Sequence, residues 1–206
     1  MMGGAAIFLG FALVMVLGRE ILHFSVGLKA VAAGATLLFA LGLLDDLWSV
    51  SAKIGLLVQV LAVGILVKYG VVLSFLPQTW WGDAAEILIT FLWVVGITNA
   101  VNFLDGMDGL ATGSTAINAS FFCLAALQTS QPFMMLLSIA LVGSCLGFLP
   151  HNFRLRQPAN IFLGVGGSNF LGFTLAGIGI LGEWGTHNLG GSPCPSSTRP
   201  SRPWSV

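Results

Sequence analysis

Charge is what this chain has least of. Eight Lys and Arg and eight Asp and Glu occur among 206 residues, and they cancel. A chain with no basic surplus lacks the electrostatic footprint of a nucleic-acid binder, so no nucleic-acid partner is expected. Cysteine is also scarce. Cys123 and Cys145 lie in apolar stretches and Cys194 near the C-terminus. They make no disulfide framework, and no pair has metal-ligand spacing. No basic leader precedes the apolar run that starts at Met1, so it does not read as a cleaved signal peptide. Neither a soluble-domain composition nor an internal repeat is present.

What the chain has instead is apolar length. Hydrophobic residues make up 56% of it and mean hydropathy is +0.92, far outside the soluble range. Seven apolar runs fall at about 2–18, 28–44, 54–73, 85–101, 108–128, 132–149 and 161–182, each near the ~20 residues that span a bilayer. The expected fold is all-α: a polytopic helical membrane protein with about seven transmembrane helices in one domain, residues 1–185. The 27 glycines suit helices that pack closely in lipid. Residues 186–206, rich in Gly, Pro, Ser and Arg, have no apolar periodicity and are expected to be disordered.

The densest chemistry lies in NAVNFLDGMDGL, where Asn99, Asn102, Asp105 and Asp108 recur every third residue. On a helix that spacing forms one slowly drifting stripe. Two amides and two carboxylates on one stripe can grip a cation and hydrogen-bond a nucleotide or sugar. Gly106 and Gly109 would let a bulky ligand approach the backbone. A carboxylate at mid-membrane costs ~2.5–3.5 kcal/mol on insertion scales, so two of them are unexpected as filler in a polar hairpin.

A second acidic site is Asp45-Asp46, in LGLLDDLWSVSAK at the end of the second run. Neighbours on a helix point about 100° apart, so the two carboxylates must do different jobs. Mg²⁺ suits such a site, because it takes oxygen ligands and often shares them with substrate phosphates. A third loop reads PHNFRLRQPANIFLGVGGSNFLG. Arg154 and Arg156 can bind phosphate there, as can the backbone N–H groups of Gly164 to Ser168 if they open the last helix. Phe162 can stack on a base. His151 is a weaker candidate, and Trp80 and Trp81 with Gln78 and Asp83 read as an aromatic belt on the opposite face.

If each run crosses once, the loops Asp45–Lys53, Asn102–Asp108 and His151–Asn160 open on the same membrane face. Charge does not say which one. Lys53, Arg154 and Arg156 lie on the motif side and Arg19, Lys29 and Lys68 on the other.

These three loops, in this order, resemble the polyprenyl-phosphate N-acetylhexosamine-1-phosphate transferases, a membrane family that includes the peptidoglycan enzyme MraY. The strings that carry the resemblance are GLLDDLWSVSAK, TNAVNFLDGMDGLATG and GFLPHNF…NIFLGVGGSNFLGF, across most of residues 1–185. Their surroundings look more like the UDP-GlcNAc-using branch. The resemblance implies transfer of N-acetylhexosamine 1-phosphate, most simply GlcNAc-1-phosphate, from a UDP-sugar to polyprenyl phosphate, releasing UMP. It implies a place in the bacterial inner membrane with the motif loops cytoplasmic, and a role in cell-wall or lipopolysaccharide synthesis. It also implies a cofactor, Mg²⁺ or alternatively Mn²⁺.

By the same resemblance Asp45, Asp46, Asp105 and Asp108 are catalytic, with Asp45, Asp46 and Asp108 toward the metal. Asn99, Asn102, Phe162, Arg154, Arg156, Gly166 and Ser168 are expected to bind substrate. One residue departs from the pattern: the family usually carries Asp, a principal metal ligand, where this chain has Val165. Family members also begin with an earlier helix and continue past Trp184 through further helices and a His-rich loop. The expectation is therefore a family fragment with impaired catalysis, whose uncovered faces would want a partner, a homodimer for example. Two other readings stay open. One is a non-catalytic relative that binds nucleotide or lipid. The other is a cation or proton pathway, against which the acids cluster at one face rather than at the midplane.

Overall fold

Apolar runs of this length can satisfy their backbone polar groups in lipid only by coiling. The computed structural model describes residues 3–21, 25–48, 50–76, 79–153 and 161–182, leaving out the side chains of 19–21. They form seven helices: α1 (Gly3–Ile21), α2 (Val26–Trp48), α3 (Ala52–Lys68), α4 (Trp80–Leu104), α5 (Leu110–Gln128), α6 (Pro132–Asn152) and α7 (Gly164–Leu181). No strand occurs among the described residues. Five helices, α2 and α4 to α7, have the length and apolarity to cross a membrane, while α1 is apolar over Gly3–Gly18 and α3 has 17 residues. The protein is a polytopic helical membrane protein. The 186–206 tail lies outside the described residues.

The last helix sits in the middle. From Gly166 to Gly179 every residue of α7 is buried, and α1, α2, α4, α5 and α6 all pack on it. Glycine makes this possible, because backbones approach where no side chain intervenes. A Cβ on Gly42 of α2 would collide with the Cα of Gly166. One on Gly4 of α1 would lie 2.6 Å from the Cα of Gly167, and one on Gly172 would lie 2.7 Å from the Cα of Thr98 in α4. Around these contacts Phe8, Phe11, Phe39 and Phe170 form an aromatic cluster joining α1, α2 and α7, with Phe8 and Phe39 stacked at 4.2 Å. Leu57, Leu61, Leu88, Leu92, Phe121 and Leu124 point outward, a surface suited to lipid rather than water.

Two boundaries differ from the sequence expectation for physical reasons. The 54–73 run is helical only to Lys68, because Gly70 takes a left-handed φ of +74°. The non-helical backbone beyond it is held by α4: Leu73 N–H donates to Thr90 Oγ1 (3.0 Å) and Leu76 N–H to the buried Glu86 Oε1 (2.9 Å). The other run, at 85–101, starts early, at Trp80, where Thr79 Oγ1 accepts from Gly82 N–H as an N-cap.

The close glycine contacts give a graded prediction. Gly42→Ala should lower the thermal midpoint in detergent, at a cost of roughly 1–3 kcal/mol for overpacking backbone against backbone. Gly64→Ala and Gly96→Ala, whose new Cβ meets nothing within 4 Å, should leave the midpoint unchanged or raise it slightly. Equal loss in all three would contradict this packing.

Candidate active site at one end of the bundle

Chain direction alternates from helix to helix, so the end of α2, the end of α4 and the start of α7 meet. Gly3 and Gly4 at the start of α1 join them there, donating to the carbonyls of Phe162 (3.3 Å) and Leu163 (2.9 Å). The expectation that three loops share one face holds for every described part of them.

The helical stripe of four polar residues is corrected. Asn99 and Asn102 lie on α4, but the helix ends at Leu104, and Asp105 is its C-cap. Asp105 to Gly109 form a run of turns, ended by Gly109 at φ +74°. Glycine at 106 and 109 releases the chain from the helix, so Asp105 and Asp108 are loop residues. Asp108 is exposed while Asp105 turns inward and is half-buried. The turn is held from α6: buried Asn152 accepts from Gly109 N–H (3.0 Å) and donates to Ile161 carbonyl (3.0 Å).

The adjacent carboxylates of α2 take different partners, as their angular separation requires. Asp45 accepts from Val50 N–H just beyond the helix end. Asp46 accepts from Val165 N–H at 2.9 Å. Asp105 accepts from the neighbouring Gly164 N–H, so a carboxylate of α2 and one from the turn after α4 grip the first turn of α7. A helix N-terminus favours negative charge, and that attraction brings two like charges together. Burial first, and then the Asp46 carboxylate, push Asp105 up to about 6, against the opposing pull of the Gly164 N–H. Gly164 itself has φ +81°, and a Cβ there would lie 2.5 Å from Asp46 Oδ2. Only glycine fits this position.

Beside the two carboxylates a polar cleft of about 250 Å³ opens between α2, α3, α4 and α7. Its polar lining is Asp45, Ser51, Gln59, Asn99, Asn102 and Asn169, and Val165 contributes a hydrocarbon wall. Asn99 Nδ2 donates to Gln59 Oε1 (2.8 Å), and Ser168 Oγ donates to Asn102 Oδ1 (2.8 Å). Asn99 and Asn102 are thus fixed from opposite sides, by α3 and by α7. Ser168 and Gly166 are buried, Gly166 against the backbone of α2. Phe162 is exposed just ahead of α7, and His151 is exposed in the last turn of α6. Arg154 and Arg156 lie outside the described residues.

Among the described residues, no group of three or more His, Cys, Asp or Glu gathers to hold a metal ion by itself. Asp46 and Asp105, within electrostatic reach of one another, fit the looser way Mg²⁺ is commonly held, by one or two carboxylates plus substrate phosphates and water. Sequence reasoning gave no role to Gln59, Asn152 or Asn169. A signal existed for the first: Gln59 interrupts an otherwise apolar helix, and polar groups inside membrane segments are functional by default.

Fold and site together define a multi-pass membrane protein with a carboxylate-bearing cleft at one end of its bundle. Residues 28–183 match Glycosyl transferase family 4, and the chain belongs to that family. It is 37% identical over 186 residues to the probable undecaprenyl-phosphate N-acetylglucosaminyl 1-phosphate transferase of Bacillus subtilis, covering 88% of this chain and 51% of that protein. It is 35% identical over 196 residues to the decaprenyl-phosphate N-acetylglucosaminephosphotransferase of Mycobacterium tuberculosis, covering 85% and 48%. The phospho-N-acetylmuramoyl-pentapeptide-transferase of Limosilactobacillus fermentum is 41% identical over 106 residues, covering 50% and 32%. The chain spans about half the length of the first two relatives.

The raised Asp105 predicts a pH signature. Between the ordinary carboxyl value and about 6 the folded chain binds more protons than the unfolded one, so this group makes stability fall as pH rises through that window. Asp105→Asn removes the effect. With a chelator present, its thermal midpoint relative to the parent should rise from about pH 4.5 to about pH 7.5. A difference that stays flat or shrinks would contradict the burial of Asp105 beside Asp46.

Proposed function

We propose that this chain carries the membrane core of a polyprenyl-phosphate N-acetylglucosamine-1-phosphate transferase, with UDP-N-acetylglucosamine as donor. The observation that carries the proposal is a cleft lined by Asp45, Asn99 and Asn102 at the start of α7, beside the Asp46 and Asp105 carboxylates that hold the first turn of that helix. The names of the relatives in Bacillus subtilis and Mycobacterium tuberculosis support the same acceptor lipid and sugar.

In this reaction an oxygen of the lipid phosphate attacks the β-phosphorus of the UDP-sugar. A P–O bond forms to the lipid, the P–O bond to UMP breaks, and UMP leaves with the electron pair. A phosphate monoester has a second pKa near ~6, so at neutral pH it is largely a dianion and needs no strong base. The harder task is to hold several negative charges in line. Bound Mg²⁺ would neutralise phosphate charge, held by Asp46 and Asp105, with Asp45 and Asp108 toward the same loops. Asn99 and Asn102, braced by Gln59 and Ser168, hydrogen-bond the donor. Phe162 offers an exposed ring for the uracil, and Arg154 and Arg156 would meet phosphate from the cytoplasmic side of a bacterial inner membrane.

Val165 argues for a slow enzyme. Its side chain lines the cleft and offers no oxygen, at the position where the family resemblance leads one to expect a carboxylate. A second reading follows from the same place: with Asp46 and Asp105 engaged by α7 N–H groups, the chain binds nucleotide or lipid without turnover.

The test is transfer of labelled GlcNAc-1-phosphate to polyprenyl phosphate by membranes holding the chain, with Mg²⁺. The expected result is a low rate that Val165→Asp raises by on the order of 100-fold. Mg²⁺-dependent UDP binding with no product from either form would favour the binding protein. No binding and no product would remove the transferase reading.

A further inference from the structure

Gln59 is the one polar side chain between the two lysines of α3, in the string AKIGLLVQVLAVGILVK. A polar group inside a membrane helix is expensive and functional by default. Gln59 is 6% exposed, lines the cleft, and pairs across the helix interface with Asn99 of α4. The pair is lopsided. Asn99 Nδ2 donates to Gln59 Oε1 at 2.8 Å and to the Val95 carbonyl at 2.8 Å, while Gln59 Nε2 reaches Asn99 Oδ1 only at 3.4 Å. A backbone carbonyl can only accept, so Val95 fixes which way round the Asn99 amide lies.

An amide nitrogen has two hydrogens to give, and Asn99 spends both inside the protein. Asn99 is exposed at the cleft, and what it has left for a ligand is its oxygen. Three residues on, Asn102 is held the other way round. Its Oδ1 accepts from Ser168 Oγ at 2.8 Å, and its Nδ2 has no partner among the described residues. Unlike the amide oxygen of Asn169, which is unpaired and sealed from solvent, this nitrogen is accessible. The two amides are neighbours one helical turn apart on the cleft wall, one set to accept and the other to donate.

We propose that Gln59 is a positioning residue: by taking a hydrogen of Asn99 it makes that amide a pure acceptor, so that Asn99 and Asn102 together select a ligand edge carrying a donor beside an acceptor. The inference rests on the transferase reading above and narrows what the sugar nucleotide offers at this wall. An ionised phosphate has no proton to give and cannot satisfy Asn99, so neither the lipid phosphate nor the diphosphate belongs at the pair. A trans acetamido group points its N–H and its carbonyl in opposite directions. The imide edge of uracil and a pair of neighbouring hydroxyls each present a donor and an acceptor side by side, which is the chemistry the pair fits. Gln59 acts on that edge through Asn99.

The experiment uses the full chain purified in detergent. Dissociation constants for UDP-N-acetylglucosamine and UMP are measured for Gln59→Leu, Asn99→Ala and the double variant, alongside the ligand-free thermal midpoint. Gln59→Leu should weaken UDP-N-acetylglucosamine by about three- to ten-fold, the scale of one hydrogen bond. In the Asn99→Ala background the same change should do nothing, because a residue that works through Asn99 has no effect once that amide is gone. A loss shared by UMP assigns the edge to the nucleoside, and a loss confined to UDP-N-acetylglucosamine assigns it to the sugar hydroxyls. Affinity unchanged by either single substitution, or lost equally from Gln59→Leu in both backgrounds, overturns the proposal; a lowered midpoint then leaves the pair as a tie between helices. If the unaltered chain binds no UDP-N-acetylglucosamine, the transferase reading falls and this assignment with it. Should Gln59→Leu not fold, Gln59→Met, which keeps the length of the side chain, decides in the same way.

Discussion

Backbone lies against backbone where Gly42 of α2 meets Gly166 of α7, and the functional end of the bundle is built out from that contact. With no side chains between them, the two helices bring Asp46 to the first N–H groups of α7. The same closeness on the other side, Gly172 against Thr98, brings Asn102 to Ser168. A single added methyl group at either point would have to move a helix, and with it a carboxylate or an amide of the cleft. The fold is therefore tightest where the polar chemistry is densest.

That arrangement sets an electrostatic conflict. The start of α7 attracts anions, and it attracts two at once. Asp46 of α2 and Asp105 of the turn after α4 meet with like charge, and burial first, then that charge, makes Asp105 hard to ionise. A bound cation would relieve the conflict, and so would a proton. Val165 sits beside it with nothing to contribute to either remedy. In this chain the pair is held by backbone N–H groups, an arrangement that keeps the carboxylates in place whether or not the reaction proceeds.

Much of this was legible in the sequence. Seven apolar runs gave seven helices because lipid leaves the backbone no alternative, and alternate crossing put the three polar loops on one face. Adjacent carboxylates at 45 and 46 had to diverge, and they do. The three-residue spacing from Asn99 to Asp108 misled, since it looks helical while Gly106 and Gly109 break the helix halfway. Asn152 and Gln59 were not legible as site residues. Their roles come from contacts across helices far apart in sequence, Gln59 with Asn99 for example, and no local pattern announces such a pairing.

The claim everything rests on is that three segments, distant in sequence, open together on one side of the membrane. Single cysteines placed at exposed positions, in a chain whose native cysteines are replaced by alanine, test it directly with a membrane-impermeant thiol reagent. Lys53→Cys, Met107→Cys and Phe162→Cys should all label from one side of sealed vesicles, and Phe75→Cys and Trp80→Cys only from the other. Labelling of any of the first three from the side that reaches Phe75→Cys would contradict the architecture and the cleft built on it.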